Sequence, residues 1–267
     1  NVYAFDSTTI DLCLSVFWWA KFRKKKGGIK VHTLYDVETQ IPAFFHITEA
    51  SVHDSKVMIE IPYEPSSYYI FDRGYNNFKI LYKIHQIEAY FVVRAKKNLG
   101  YKSIQWKRRL PKNVLSDASV FLTGFYPKQY YPEPLRLVKY WDEEQEREFT
   151  FITNAMHISA LQVAELYKNR WQVELFFKWL KQHLKIKRFW GTTENAVRIQ
   201  IYAAICAYCL VAIIQHDMQL NRSTYEVLQI LSISLTDKTH LRDLFDKTKF
   251  QNDKERFGPN GPSLFNF

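Results

Sequence analysis

The chain has 267 residues, 47% of them hydrophobic and 16% aromatic, which supplies one large core or a core with a smaller domain and excludes global disorder. Lys and Arg outnumber Asp and Glu by 37 to 27, a net charge of +10, so the expected partner is polyanionic, with nucleic acid ahead of an acidic membrane surface. The three cysteines, Cys13, Cys206 and Cys209, exclude a disulfide framework and fit a reducing compartment.

In chain order, the first strand is Val2 to Phe5, a short apolar run that ends on Asp6. A basic cluster, Lys21 to Lys26, precedes Gly27-Gly28. Ile29 to Tyr35 and Ala43 to Thr48 then read as a hairpin turning at Glu38 to Gln40, so three antiparallel strands come first. His53 to Glu60 reads as a helix, and Tyr68 to Phe71 as a fourth strand that also ends on an acid, Asp72. Arg73-Gly74-Tyr75 forms a tight turn into an amphipathic helix, Phe78 to Ile87, and Tyr90 to Arg94 is a fifth strand running into the basic group Arg94 to Lys97. Residues 96–150 hold four of the nine prolines and strand-like runs at Val120 to Gly124 and Leu135 to Trp141, with another at Glu148 to Thr153, and are read as a β-rich insertion.

Ser159 and Gln162 carry a capping-box signature that opens the next helical part. Leu166 to Leu184 reads as one helix. At about 100° per residue, Tyr167, Arg170, Glu174, Lys178, Lys181 and Lys185 fall within roughly 80° of one face, beside an apolar stripe of Leu166, Val173, Phe177, Leu180 and Leu184. The same spacing also suits a solvated helix in which Glu174 simply pairs with Arg170 and Lys178. Trp171 and Trp179 are expected in the core, while Trp190 suits core packing or base stacking equally. After the Lys185 to Arg188 cluster, Thr192 or Thr193 caps an apolar helix ending near Met218. Its run from Ile199 to Ile214 is shorter than the roughly 20 residues a bilayer needs, so it is expected as a buried core helix in which Cys206 and Cys209 are structural. Tyr225 to Leu231 is a further helix, and Asp237 to Phe267 a loose tail marked by Gly258-Pro259 and Gly261-Pro262. The chain opens on Asn1, already inside a strand. We therefore expect a fragment without an upstream DNA-reading helical domain, and hence sequence-tolerant DNA binding.

A lone acid after a strand is usually a turn or cap residue. Two such acids, Asp6 and Asp72, together with Glu174 on a cationic helix are a rarer combination, and three carboxylates suit hard divalent cations. The order Asp6, Asp72, Glu174, with Asp-Arg-Gly-Tyr at 72 to 75 and Tyr-x2-Arg-x3-Glu-x6-Lys at 167, 170, 174 and 181, resembles the DDE transposases of bacterial insertion sequences, in particular the group defined by that Tyr-Arg-Glu-Lys signature. Phe5 to Thr8, Gly28 to His32 and Val52 to Ser55 are similar to the group's segments at the same places in the order, and the likeness covers roughly Tyr3 to Ile214.

The resemblance implies an α/β, ribonuclease H-like mixed sheet flanked by helices, divided as 1–95 and 151–220 for the catalytic core, 96–150 for the β-rich insertion and 221–267 for a C-terminal tail. It implies divalent-metal-dependent cleavage at transposon ends followed by strand transfer into target DNA. Asp6 would bridge two Mg²⁺ ions, with Mn²⁺ substituting, while Asp72 and Glu174 would each bind one. Tyr167, Arg170 and Lys181 would contact end phosphates, with Lys178, Lys185, Lys30 and Arg73 as further DNA-binding candidates and His32, His53 and Asp54 near the site. A homodimer in the synaptic complex, a cytoplasmic, nucleoid-associated location and no membrane contact complete the expectation. Three alternatives remain at this point: a domesticated or inactive DNA-binding remnant, another ribonuclease H-like nuclease, and a phosphohydrolase using His53-Asp54, which lacks the further metal ligands it needs around His85, His157 or His183.

Overall fold

The computed structural model describes residues 1–23, 26–183, 189–234 and 238–247. Lys24, Lys25, Lys185 with the rest of its cluster, and the Gly-Pro tail lie outside these described residues. The chain divides into one unit from Asn1 to Cys209 and a second from Leu210 onward.

The first unit opens with β1 (Val2–Leu12), β2 (Lys21–Arg23), β3 (Lys26–Asp36) and β4 (Pro42–Glu49). A single helical turn α1 (Asp54–Val57), continued by a 3₁₀ turn, leads to β5 (Tyr68–Phe71), α2 (Phe78–Gln86) and β6 (Tyr90–Arg94). Then come β7 (Tyr101–Trp106), β8 (Val114–Leu122), α3 (Phe125–Tyr130), β9 (Leu135–Asp142), β10 (Arg147–Thr153), α4 (Ala160–Lys168), α5 (Trp171–His183) and α6 (Glu194–Asp217). Among the described residues all ten strands join one sheet in the order β2-β3-β1-β5-β6-β10-β9-β8-β7, with β4 on the free side of β3. β1, β5 and β6 are parallel and the other pairs antiparallel, which gives the expected mixed α/β sheet. The strands of the 96–150 segment extend this sheet through β10 alongside β6.

Alternation along the central strands sends side chains to both faces. Phe5, Tyr69, Phe71, Phe91 and Val93 pack with Ile80, Leu81 and Ile84 of α2 on one side. Ile70, Val92, Phe149 and Phe151 pack with Ala160, Val163, Ala164 and Tyr167 of α4 on the other. With both faces covered, β5 and β6 read as unbroken apolar runs, as parallel strands do.

The register between β1 and β5 fixes the site. Phe5 is level with Phe71, so Asp6 and Asp72 are the next residues on neighbouring parallel strands. The sequence pattern puts Asp6 at a strand end. Instead β1 runs on to Leu12 because β3 keeps pairing with it, Asp6 opposite Thr33, and it is only the parallel partner β5 that stops. The opening created where β5 ends is what lets both acids leave the core.

The single helix expected over Leu166 to Leu184 is two. α4 stops at Lys168, and Asn169 and Arg170 form a tight turn in which their amides donate to the carbonyls of Leu166 and Tyr167 before α5 starts at Trp171. No Gly or Pro marks this break. Its cause is tertiary: α4 packs on the β10 side of the sheet, whereas Val173, Phe176 and Leu180 of α5 are buried, Phe176 lying against Tyr35 of β3.

The apolar composition of α6, capped by Thr193, suggests burial all round. Val197, Ile201, Ile205 and Tyr208 are indeed buried, Tyr208 bonding the Tyr35 hydroxyl and the Gln40 carbonyl. Ile199, Tyr202 and Cys206 are exposed, because a helix apolar on every side still has only one face to give to the sheet. By length and composition α6 is the one described helix apolar enough to cross a membrane. Trp171 is likewise exposed rather than in the core. In the second unit, α7 (Thr224–Ile233), opened by a Ser223–Glu226 capping box, and α8 (Leu241–Lys247) join the end of α6 around Val211, Val227, Ile230 and Phe245.

One buried ion pair ties the outer strands to the approach to α4. Arg136 on β9 makes two hydrogen bonds of 2.8 Å to the Asp117 carboxylate on β8 and donates to the carbonyls of Ala155 and Ile158, with both side chains 3% exposed or less. Those carbonyls lie just before the Ser159 cap, so this pair sets where α4, and with it Tyr167, begins. Asp117→Ala strands a buried guanidinium, and we expect thermal denaturation to show a loss of about 3–5 kcal/mol; an effect below about 1 kcal/mol would mean the pair behaves as a surface salt bridge.

Candidate active site

Asp6, Asp72 and Glu174 come from β1, the end of β5 and the first turn of α5. The Asp6 carboxylate accepts from the Ser7 amide at 2.8 Å and from Arg170 Nη1 at 2.9 Å, and the same Arg170 nitrogen lies 2.7 Å from Glu174 Oε1. Asp72 accepts from the Tyr167 hydroxyl at 3.2 Å. Tyr167 is buried against the rings of Phe149 and Phe151, and the Arg170 guanidinium lies 5.7 Å over the Tyr167 ring. The end of α4 and the following turn thus present one phenol and one cation to three acids.

Electrostatics follow from that crowding. Burial pushes the Asp6 carboxyl up to about 6, and the charges of Glu174 and Asp72 add to the rise despite the Ser7 amide and Arg170. Burial pushes Tyr167 up to about 12, so its hydroxyl is a donor at any working pH. Burial disfavours charge on Arg170, but Tyr167, Asp6 and Glu174 outweigh it and hold the guanidinium charged. Among the described residues no three His, Cys, Asp or Glu side chains converge closely enough to share one ion. In donor chemistry the three acids nonetheless fit a hard divalent cation: they offer carboxylate oxygen only, and Glu174 and Asp72 add negative charge near the buried Asp6.

Along α5 the acids open into a groove of about 450 Å³ lined by Asp6, Ser7, Thr8, Glu174, Phe177, Lys178, Lys181 and Gln182. Lys178 and Lys181 therefore stand on the same wall as Glu174, one and two turns on. Tyr167 lies on α4, Arg170 in the turn and Glu174, Lys178 and Lys181 on α5, so the described part of the face anticipated for one helix is assembled from three local structures. Arg73 is exposed in the 3₁₀ turn directly after Asp72. Lys30 is engaged elsewhere: its Nζ donates to the Val52 carbonyl at 2.8 Å and pairs with Asp54 at 3.0 Å.

Behind Asp6 lies a polar layer. The Ser7 hydroxyl donates to Asp54 at 2.8 Å, so adjacent residues on β1 orient Asp6 and hold Asp54. Burial raises Asp54, but hydrogen bonds from Ser7 and Lys30 more than offset this and hold it below the usual carboxylate range. His32 is fully buried against Thr48, and burial lowers it to about 4, so it is neutral. His53 is the cap of α1, its ring nitrogen accepting from the Ser55 amide. These contacts leave His53-Asp54 without the metal-pair geometry of a phosphohydrolase. Sequence reasoning misses the part played by Ser7, although its place beside Asp6 is a signal. It misses Asn76 too, whose side-chain amide donates to the carbonyls of both Arg73 and Arg94 and ties the turn after Asp72 to the end of β6.

Comparison with known proteins places the chain in a family. A family profile described as "Transposase DDE domain" matches residues 1–210. The candidate transposase y4zB of Sinorhizobium fredii is 37% identical over 246 residues, covering 90% of this chain and 67% of that protein. The candidate transposase of insertion sequence element IS5377 from Geobacillus stearothermophilus is 31% identical over 77% of this chain and 54% of its own length. That of element IS4SA from Synechocystis is 25% identical over 89% and 67%. The chain thus spans between about half and two thirds of the length of these relatives. In fold it is similar to the piggyBac transposase in a synaptic complex with hairpin DNA, with a TM-score of 0.52 at 14% identity, over 91% of this chain and 56% of that one. The chain belongs to the DDE-domain transposases of bacterial insertion sequences, enzymes that act on DNA and as a group use divalent metal ions.

Proposed function

We propose that Asp6, Asp72 and Glu174 are the catalytic carboxylates of this transposase domain, cutting transposon ends and joining the freed 3′-hydroxyl to target DNA. One observation supports this above the rest: acids far apart in sequence lie around the place where β5 ends, and Arg170 bridges two of them. Asp6, Asp72 and Glu174 would hold the divalent ions, two Mg²⁺ with Mn²⁺ substituting. When bound, such ions polarise phosphoryl oxygen and ease deprotonation of the attacking water or hydroxyl.

The chain's own residues account for the rest. The Ser7 amide fixes one Asp6 oxygen, and the Tyr167 hydroxyl fixes one of Asp72, so both carboxylates are aimed before substrate arrives. Lys178 and Lys181 line the groove that leads away from Glu174 and would track the phosphodiester backbone of the end. Arg170 can exchange a carboxylate for a phosphate oxygen, which is equally anionic and equally suited to its planar fork. Arg73 would reach backbone from the other side of Asp72. Lys185, outside the described residues, is carried as a candidate for the same track, and Lys30 as a support for Asp54. A homodimer holding two ends, and work on the chromosome in the bacterial cytoplasm without membrane contact, complete the reading.

The direct test measures nicking and DNA binding side by side. Asp6→Asn, Asp72→Asn and Glu174→Gln should each lower cleavage in Mg²⁺ by at least about a hundredfold, of the order found when a key group is removed, while binding is kept or tightened because repulsion of phosphate falls. Near-normal cleavage by any one of them would remove that acid from the assignment. Arg170→Ala and Lys178→Ala should each flatten the log–log salt dependence of duplex binding by about 0.9 for every phosphate no longer neutralised.

The raised Asp6 gives a pH signature with a definite sign. Folded Asp6 takes up its proton near pH 6, and the ordinary value is 3.8, so between these the folded state binds more protons than the unfolded one. Stability therefore falls as pH rises through this window, and the cost is complete above 6. Asp6→Asn should be stabilising by about 1–3 kcal/mol at pH 8 and nearly neutral at pH 3.5, where both forms are uncharged. Mn²⁺ binding by the wild type should strengthen about tenfold per pH unit below 6 and level off above it, since the ligand must be deprotonated. A Tm difference between Asp6→Asn and wild type that does not change with pH would contradict the burial of this carboxyl.

A further inference from the structure

A second basic cleft begins one residue beyond Asp72. It encloses about 290 Å³ and shares no lining residue with the α5 groove. Its rim carries Arg73, Lys96, Lys97 and Lys139, four cations against the single carboxylate of Glu148, while Arg94 borders it but turns its guanidinium to Phe149 on the opposite face. Lys139 pairs with Glu148 at 3.7 Å, but Arg73, Arg94, Lys96 and Lys97 form no ion pair with any acid among the described residues. The walls are built. Asn76 clamps the Arg73 and Arg94 carbonyls together, the Ala95 amide donates to Thr150 at 2.8 Å, and the Arg94 guanidinium lies 4.8 Å over the Phe149 ring. Alternation along β10 separates this cleft from the Tyr167 side, since Glu148 and Thr150 line the cleft while Phe149 and Phe151 pack against Tyr167 on the opposite face.

Arg73, Lys96 and Lys97 line a cleft whose sole carboxylate, Glu148, is held by Lys139, so it keeps an excess of positive charge that its own residues do not neutralise. A single phosphodiester strand would. Strand transfer, moreover, brings two DNA segments to one set of acids: the end carrying the 3′-hydroxyl, and the phosphodiester it attacks. We propose that the α5 groove takes the transposon end and that the cleft of Arg73, Lys96 and Lys97 is a separate site for the backbone of target DNA, entering from the other side of Asp72. This inference rests on the transposase reading and adds a division of labour between two basic surfaces.

The test is a stoichiometric titration of the protein, without divalent metal, with a fluorescent random-sequence duplex three helical turns long. The wild type should bind two duplexes per chain in two affinity classes. The double variant Lys96→Glu, Lys97→Glu alters exposed side chains and should lose one class while the affinity of the other changes less than threefold. Lys178→Glu should remove the class that the double variant keeps. Melting temperatures of both variants are followed, and Lys96→Gln, Lys97→Gln serves as a milder pair that should weaken the same class at least tenfold. A wild type that binds a single duplex overturns the second site alone, as does a double variant that weakens both classes equally or neither. A wild type that binds no DNA overturns the transposase reading and this one together.

Discussion

Three carboxylates cannot stand near one another in a partly dry site without a positive charge among them, and in this fold that charge is the Arg170 guanidinium. Its Nη1 touches both Asp6 and Glu174, and the neighbouring Tyr167 holds Asp72. Much of the architecture can be traced to meeting this need. α4 must end early enough to leave Arg170 in a turn, α5 must start at once so that Glu174 sits in its first turn, and Tyr167 must be wedged between Phe149 and Phe151 so that its hydroxyl is fixed. Burial, with smaller additions from Glu174 and Asp72, still raises Asp6 despite Arg170, and a buried acid of this kind is one that further positive charge would favour in its ionised form.

The sheet supplies the other half of the constraint. Parallel pairing of β1 with β5 places Phe5 beside Phe71, so one register delivers two acids at once. A slip of one residue would turn Asp6 into the core and an aromatic ring out of it, a change the aromatic packing of Phe5 on Phe71 and Tyr75 resists. The specificity of the acid pair is therefore underwritten by apolar contacts that have no part in chemistry.

The elements legible in the sequence are those whose signal is local. Tyr68–Phe71 and Tyr90–Arg94 are short aromatic and branched runs with nothing competing for them, and both appear as strands with the expected bounds. The Ser159–Gln162 capping box is present with both of its hydrogen bonds. The three acids stand out because two follow apolar runs and the third is a lone carboxylate among cations, and the fold brings Asp72 and Glu174 within electrostatic range of Asp6. What escapes is decided at long range. Asn169-Arg170 breaks a helix without Gly or Pro because two apolar stripes need different partners. β7 hides because its face is exposed and lacks alternating burial. Cys206 and Trp171 are apolar residues on sides of helices that nothing among the described residues covers, and periodicity does not tell a covered side from an open one.

The continuity of the sheet from β6 through β10 to β7 bears on how such a protein can be cut down or rearranged. An appended domain on a linker can be removed with little harm to its host. Here, removing the stretch from β7 to β10 would leave β6 as a bare edge, without a partner for the backbone groups it now pairs with β10, and would strip Ile70 and Val92 of the Phe149 and Phe151 that help cover them. The segment is thus woven into the host sheet, and a shortened version made without a replacement strand should be sticky and prone to self-association through that edge.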